Sequence, residues 1–195
     1  MLLQLYQEGL VDLDSPVSDY LIGLPQTYRD LTVRQVGSMR SGVPEPFFDP
    51  IIKAEANKDS QRYWLTDELF ALAAIGPQQF PPGDDFQYSN SNSIILGLII
   101  EKITRNSLGY EINKRILEPL NLSSTRFLVN APLQKPRMSG YSYFDNNLKD
   151  VTDYNISYSW AAGNISSNLR NSSKFLKCAI GKELLLDRNA TKTME

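Results

Sequence analysis

Apolar residues along the chain form short clusters at helical spacing, separated by segments rich in proline, glycine and aspartate. The cluster nearest the N-terminus predicts a helix that Gly9 stops. Thr32 and Gln35 fit a capping box, in which each side chain bonds the other residue's backbone N–H, and they predict a helix that ends near residues 41–42. A further helix is predicted over residues 66–74, because its first residue is a threonine, a good N-cap.

The longest apolar pattern predicts a helix from about residue 91 to residue 105. Isoleucine and leucine occupy many of its positions, which leaves little polar surface and predicts a buried, central helix. Another helix is predicted after Ser107, running to Leu117 and stopped by Pro119. Residues 44–63 contain prolines and mixed charges, and we expect a loop with short helical pieces there.

The pattern changes between residues 125 and 155. Residues 139–144 suit a strand, and residues 145–147 suit a turn after it. Gly163 precedes a last predicted helix, which has Ser167 or Asn168 as its N-cap. The second half of the chain is therefore predicted to contain a few short strands as well as helix.

Composition excludes several classes of function. A net charge of −2 over 195 residues gives no basic footprint for nucleic acid. Acidic and basic residues are interspersed, without a polybasic run that would suggest a membrane surface, and the most apolar stretch, residues 94–100, is far too short to span a bilayer. The N-terminus has neither a positively charged segment nor a small-residue cleavage site, so it does not resemble a signal peptide.

The absence of histidine narrows the possible chemistry. Without an imidazole, the Ser-His-Asp and Cys-His mechanisms are excluded, and most zinc sites lose a usual ligand. A hydrolase with this sequence must take its base from lysine, tyrosine, aspartate or glutamate. The single cysteine, Cys178, has no partner for an internal disulfide, and we interpret it as a small buried apolar residue. No cofactor and no metal are expected.

Five stretches carry a resemblance to one family, and they occur in that family's order. They are residues 8–21, residues 31–44 with Ser41-Gly42-Val43-Pro44, residues 80–102 with Phe80-Pro81-Pro82-Gly83 and Tyr88-Ser89-Asn90, residues 117–127, and residues 162–176. They resemble segments of serine β-lactamases of the class C type and of their relatives, the D-alanyl-D-alanine carboxypeptidases and β-lactamase-like esterases. The third stretch is the most specific, since it is similar to the family's Tyr-x-Asn element and the helix behind it.

By resemblance, Tyr88 is the general base and acid of the reaction, and Asn90 orients the substrate. A phenol normally titrates near ~10, but beside an ammonium group it can pass a proton between a serine hydroxyl and a leaving group. The asparagine amide has donors and an acceptor for an amide substrate. Each residue also has a plainer interpretation. Tyr88 could be a packing residue with a satisfied hydroxyl, and Asn90 could be only the N-cap of the long helix.

Two other motifs of the family are absent. Its nucleophile lies in Ser-x-x-Lys, and no lysine of this chain has a serine three residues before it. Its Lys-Thr-Gly element is also missing, because Lys192 and Thr193 are followed by Met194 and come too early in the family's order. We expect the nucleophile, and strands of the family's sheet, to lie outside this sequence.

The resemblance implies an α+β fold of the β-lactamase/transpeptidase kind, with terminal sheet strands missing. Residues 1–195 would form an incomplete domain, with a helical region over roughly residues 30–120 and partial sheet-side elements over residues 121–195. The implied reaction is acyl transfer through a serine ester, and the parent enzyme's substrate would be a β-lactam, a D-alanyl peptide or a small ester.

Without a nucleophile, the chain is expected to be inactive alone. The alternative is a non-catalytic binding or assembly module derived from the same family. In either case apolar surface is expected to be exposed, and a partner chain could cover it. Relatives are often periplasmic or secreted, and this is the only indication of where the protein is located.

Overall fold

The structure is a computed structural model, and it describes residues 1–45, 50–73, 76–129, 135–144, 146–181 and 186. Within these ranges the chain is mostly helical with a few short strands, as predicted. The helices are α1 (Leu2–Gln7), α2 (Val33–Gly37), α3 (Pro50–Lys58), α4 (Thr66–Ala73), α5 (Asn90–Thr104), α6 (Leu108–Ile112) and α7 (Leu169–Gly181). The strands are β1 (Arg126–Phe127), β2 (Tyr141–Phe144), β3 (Asn147–Asp150) and β4 (Ile165–Ser166).

Helix α5 lies at the centre of the core, which confirms the prediction of a buried helix. Ile94 and Ile99 are fully buried, and α2, α4, α6 and the turn over Ser157–Ala162 pack around them. At Gly97 the packing is so close that an added Cβ would lie 2.7 Å from the Ala161 side chain. The absence of a side chain at this position therefore lets the turn approach the helix backbone.

The predicted capping box of α2 is confirmed. The Gln35 N–H donates to the Thr32 hydroxyl at 3.1 Å, and the Thr32 N–H donates to the Gln35 side-chain oxygen at 3.0 Å. The predicted end of this helix near residues 41–42 is wrong, because α2 ends at Gly37. Met39 adopts a left-handed φ of 60°, which a continuing helix does not allow. The residues after α2 therefore form a turn.

The predicted helix after Ser107 has the expected extent but not a uniform geometry. Ser107 caps α6 by accepting the Tyr110 N–H at 3.3 Å, and the chain then widens into a π-helix over Asn113–Leu117. Glu111, which is buried, accepts hydrogen bonds from Arg115 and from Asn106. Burial pushes the pKa of the Glu111 carboxyl upward, but these bonds outweigh it and hold the pKa below its ordinary value.

The strands form two separate antiparallel pairs, β1 with β4 and β2 with β3. The predicted strand over residues 139–144 is confirmed as Tyr141–Phe144. The predicted turn is partly wrong, because Asn147 pairs with Phe144 as the first residue of β3, and residue 145 lies outside the described residues. Asn146 has a left-handed φ of 63°, a conformation that is common in tight hairpin turns, and β3 begins at the next residue.

The remaining predicted elements agree closely with the structure. Helix α1 ends before Gly9, which has a left-handed φ of 69°, and α3 provides the short helix expected within residues 44–63. The helix predicted over residues 66–74 is α4, whose last predicted residue is not described. The Asn168 side chain accepts the Asn171 N–H at 2.9 Å and so caps α7. None of the described helices is long and apolar enough to cross a membrane.

Candidate functional site

The candidate site lies where the loop before α5 meets the turn after α2. The Gly83 N–H donates to the Arg40 carbonyl at 2.8 Å, and the Arg40 guanidinium donates back to the Gly83 carbonyl at 2.7 Å. Further along the loop, the Gln87 N–H bonds the Met39 carbonyl at 3.1 Å. These bonds fix the path of the loop and leave the Tyr88 side chain 57% exposed.

The turn after α2 requires a glycine at position 42. Gly42 has a φ of +72°, a backbone conformation that side chains disfavour, and a Cβ built there would overlap the Phe80 carbonyl oxygen. The Gln79 N–H donates to the Gly42 carbonyl at 2.8 Å. The turn is therefore held directly against the chain that leads into the loop before α5.

Ser89 caps the first turn of α5. Its hydroxyl oxygen accepts the Ser91 N–H at 3.2 Å and donates to the Pro44 carbonyl at 2.9 Å. The Ser91 hydroxyl donates to the same carbonyl at 2.7 Å, and both serines are fully buried. The interpretation of Asn90 as the N-cap is wrong, because Ser89 occupies the cap position and Asn90 is the first residue of the helix.

Asn92 points inward from the same turn and is 1% exposed. Its side-chain oxygen accepts the Ser41 hydroxyl at 2.6 Å. Its nitrogen lies 3.3 Å from the Met39 sulfur and 3.3 Å from the Ser89 carbonyl oxygen. Asn92 therefore joins the inner side of α5 to the turn after α2, and its polar atoms are satisfied within the protein.

The structure brings Tyr88 and Asn90 together on the outer side of this turn. The Tyr88 hydroxyl donates to the side-chain oxygen Oδ1 of Asn90 at 2.9 Å. The Tyr88 ring is more than half exposed and so contributes little to the packing of the core. A phenol and an amide are thus held side by side where a molecule in solution can reach them.

Glu45 is part of this outer cluster, although sequence analysis did not single it out. Its carboxylate oxygen Oε2 accepts the Asn90 backbone N–H at 2.5 Å and the Asn90 side-chain nitrogen Nδ2 at 2.9 Å. The only signal in the sequence is its position directly after the Ser41-Gly42-Val43-Pro44 stretch. Nothing in the pattern of residues indicates that this position meets a residue 45 places later.

The side chains of Tyr88, Asn90 and Glu45 are joined by a continuous series of hydrogen bonds. The Glu45 carboxylate accepts from the Asn90 nitrogen, and the Asn90 oxygen accepts from the Tyr88 hydroxyl. The phenol oxygen keeps lone pairs for another donor, and the Asn90 nitrogen has a second hydrogen besides the one directed at Glu45. This arrangement offers a bound amide or ester both an acceptor and a donor within one helical turn.

Cys178 and possible metal ligands do not extend the site. Cys178 packs against the core from α7, as predicted for a small apolar residue, although it is half-buried rather than buried. Across the described parts of the chain, no group of three or more acidic or cysteine side chains is placed to hold a metal ion.

A concave apolar surface lies elsewhere on the protein, and its lining does not include Tyr88 or Asn90. It is a groove of about 450 Å³ between α1, α2, α5 and α7. Its apolar lining includes Leu2, Leu13, Val33, Leu96, Ile116 and Phe175. We refer to it below as the apolar groove.

Known proteins resemble this chain over most or all of its length. The Beta-lactamase family profile matches residues 1–195. Among curated proteins, penicillin-binding protein 4* of Bacillus subtilis (strain 168) is 27% identical over 139 residues, which is 71% of this chain and 30% of that protein. The chain therefore spans less than a third of the length of this relative.

Solved structures of two hydrolases have folds similar to that of this chain. A D-stereospecific amidohydrolase from a Streptomyces species superposes with a TM-score of 0.91 at 30% identity, over 98% of this chain and 59% of that chain. A D-amino acid amidase from Ochrobactrum anthropi SV3, solved with D-phenylalanine, superposes with a TM-score of 0.81 at 25% identity, over 97% of this chain and 55% of that chain. With its whole length matched by the family profile and its fold shared with these hydrolases, the chain belongs to the Beta-lactamase family and has the β-lactamase/transpeptidase-like fold.

Proposed function

We propose that this chain is the central, mostly helical part of a serine hydrolase that transfers the acyl group of its substrate to water through a serine ester. The observation that carries the proposal is the bond between Tyr88 and Asn90, which holds a phenol and an amide together at an exposed helix start. Membership of the Beta-lactamase family supports a hydrolase, and the position of the pair supports a role for these two residues in its reaction.

The proposed substrate is an acyl compound with a D-configured residue beside the bond that breaks. A D-alanyl peptide fits this description, and a β-lactam and a small ester are the two other acyl compounds that remain candidates. Two structurally similar proteins support the choice, because one is a D-stereospecific amidohydrolase and the other was solved with D-phenylalanine. The chain spans only 59% and 55% of those proteins, so the substrate is a proposal about the protein that carries this chain.

In the proposed reaction, Tyr88 moves the proton and Asn90 orients the substrate. A serine hydroxyl from outside residues 1–195 adds to the substrate carbonyl carbon. As the bond to the leaving nitrogen or oxygen breaks, Tyr88 gives its own phenol proton to the leaving atom and takes up the serine proton, so the phenol is restored and the acyl group stays on the serine. Water releases the acyl group in the second half of the reaction, with the same proton transfers in reverse order.

We also propose that residues 1–195 form one incomplete domain that is inactive alone. Its helical region would cover roughly residues 30–120, and its sheet-side elements would lie within residues 121–195. The sequence supports this proposal, because it contains neither Ser-x-x-Lys nor Lys-Thr-Gly.

A non-catalytic binding or assembly module is the second candidate, and the apolar groove favours it. The groove is a recess with a mostly apolar lining, in which Phe175 is 36% exposed and Val33 is fully buried, and apolar surface that is open to solvent commonly contacts another chain. On this alternative, Tyr88 and Asn90 bind a ligand or a subunit without catalysing its conversion.

The first measurement is the intact mass of the protein made by its native cell, followed by labelling with a fluorescent penicillin. A mass above 22.1 kDa would identify a longer product, and we expect that product to form a covalent adduct while the 195-residue chain does not. In the longer product, Tyr88→Phe should lower kcat/KM on a D-alanyl amide by roughly 10²- to 10⁴-fold. Tyr143→Phe is the matched control, since Tyr143 is an exposed tyrosine of the hairpin.

Three results would contradict the proposal. An adduct on the 195-residue chain would show that a nucleophile lies within it. An unchanged kcat/KM in Tyr88→Phe would remove Tyr88 from the proton transfer. A native mass of 22.1 kDa without labelling would favour the binding or assembly module.

A further inference from the structure

The outer cluster contains a carboxylate, Glu45, that accepts two hydrogen bonds from Asn90. The Tyr88 hydroxyl bonds Asn90 on one side, and Glu45 bonds Asn90 on the other. Ser89 caps the Ser91 N–H, and Glu45 accepts a different backbone donor of the same helix start, the Asn90 N–H. Capping would require only the backbone N–H, whereas Glu45 accepts the side-chain nitrogen as well.

The chemistry of a carboxylate determines which way the asparagine amide faces. An amide has a donor end and an acceptor end of nearly equal shape, so either end could face the phenol. An ionised carboxylate only accepts, so it must meet the nitrogen end. Because Glu45 takes the Nδ2 end of Asn90, the Oδ1 end is left facing the Tyr88 hydroxyl.

We propose that Glu45 is a positioning residue, which fixes the orientation of the Asn90 amide and through it the position of the Tyr88 hydroxyl. The Asn90 backbone N–H and the Asn90 side-chain nitrogen both donate to the same oxygen of Glu45, so the residue is held at its backbone and at its side chain. Hydrogen bonds to an ionised group are shorter and stronger than neutral ones, which makes this restraint a firm one. The catalytic meaning of the restraint rests on the proposed function, but the restraint itself does not.

The loop before α5 does not provide an equivalent restraint on the amide. Its bonds to the turn after α2 are made at Gly83 and Gln87 and determine the backbone path up to Tyr88. They leave the torsion angles of the Asn90 side chain free. Glu45, reaching across from the turn after α2, supplies that missing restraint.

The test uses the 195-residue chain and needs no enzymatic activity. Side-chain NMR measures the order parameter of the Asn90 amide and the chemical shift of the Tyr88 Cζ carbon, which reports the hydrogen bond of the hydroxyl. We expect Glu45→Ala to lower the Asn90 order parameter from about 0.85 to below about 0.6. It should also shift the Tyr88 carbon to the value found in Asn90→Ala, where the acceptor itself is gone.

Two further variants separate positioning from simple stabilisation. Glu45→Gln should retain most of the wild-type values, because one side-chain oxygen can still accept both bonds. Glu101→Ala is the matched control, since Glu101 accepts the Leu108 N–H at 2.7 Å near the start of α6, away from the cluster. It should lower stability without changing either signal.

Glu45→Ser, whose side chain is too short to reach Asn90, serves as a second removal variant should Glu45→Ala fail to fold.

The proposal is overturned if the Asn90 amide stays rigid in Glu45→Ala and Glu45→Ser. It is also overturned if Glu45→Ala shifts the Tyr88 carbon further in the Asn90→Ala background, because Glu45 would then act on Tyr88 by another route. Failure here would leave the proposed hydrolase reaction standing, whereas failure of the activity test would leave this restraint in place.

Discussion

The inner and outer sides of the first turn of α5 use the same residue type for different purposes. Asn92 on the inner side is 1% exposed, and its bonds to Ser41 and Ser89 are all internal. Asn90 on the outer side bonds Glu45 and Tyr88, and Tyr88 is 57% exposed. Two asparagines separated by one residue thus have opposite surroundings, and only the outer one can meet a molecule from solution.

The comparison teaches that a hydrogen-bonded polar residue is not by itself a sign of function. The inner network holds the turn after α2 against α5, and its loss should lower the stability of the fold. The outer cluster lies at the surface and contributes little packing, so its loss should change the site more than the fold. Alanine substitutions along this one turn measure the difference directly.

The largest effect is expected at Asn92. Asn92→Ala removes the acceptor of the buried Ser41 hydroxyl and leaves a small cavity beside it. We expect the free energy of unfolding to fall by about 3 kcal/mol. Urea denaturation measures this change, with an unchanged m-value as the sign that only stability has changed. A loss below about 1 kcal/mol would mean that water replaces the amide, and the inner network would not be a structural one.

A smaller effect is expected at Ser89. Ser89→Ala removes the N-cap of α5, but the Pro44 carbonyl keeps its bond from the Ser91 hydroxyl. The expected loss is therefore about 1 kcal/mol, the usual value for a single cap. Ser89→Asn restores an N-cap side chain and separates the loss of the cap from the loss of the bond to Pro44. A loss as large as that of Asn92→Ala would contradict this order.

The smallest effect on stability is expected at Asn90. Asn90→Ala removes two side-chain bonds at the surface, but the backbone N–H of residue 90 still bonds Glu45, and alanine is the better helix former. We expect the free energy of unfolding to change by less than about 0.5 kcal/mol. A loss of 2 kcal/mol or more, measured by the same denaturation, would mean that the outer cluster stabilises the fold as the inner network does. The contrast between the two sides of the turn would then not hold.

Sequence patterns predicted most of the helices, because caps and apolar spacing are local signals. The capping box of Thr32 and Gln35 and the buried α5 are examples. The end of α2 was missed, because the left-handed conformation of Met39 is imposed by tertiary contacts of the turn and not by its side chain. The π-helix over Asn113–Leu117 was missed for a similar reason, since apolar spacing does not distinguish it from an α-helix.

The candidate site was predictable only in part. Tyr88 and Asn90 lie two residues apart, so their association is visible in the sequence as a motif. Glu45 and Asn92 gained their roles from contacts across the chain, which no local pattern contains. The alternative interpretation of Asn90 as the N-cap arose because asparagine and serine are equally good caps, and only the backbone geometry selects Ser89.

The bonds that shape the site also determine when it forms during folding. The contact between Glu45 and Asn90 spans 45 residues, and the contact between Ser41 and Asn92 spans 51. Closing a loop of this length costs on the order of 3 kcal/mol of chain entropy, which one hydrogen bond does not offset. An isolated peptide with Tyr88, Asn90 and the rest of α5 would keep the motif but lack the acceptor that orients the amide. We therefore expect the geometry of the outer cluster to depend on completion of the core around α5, and to form after the local helices.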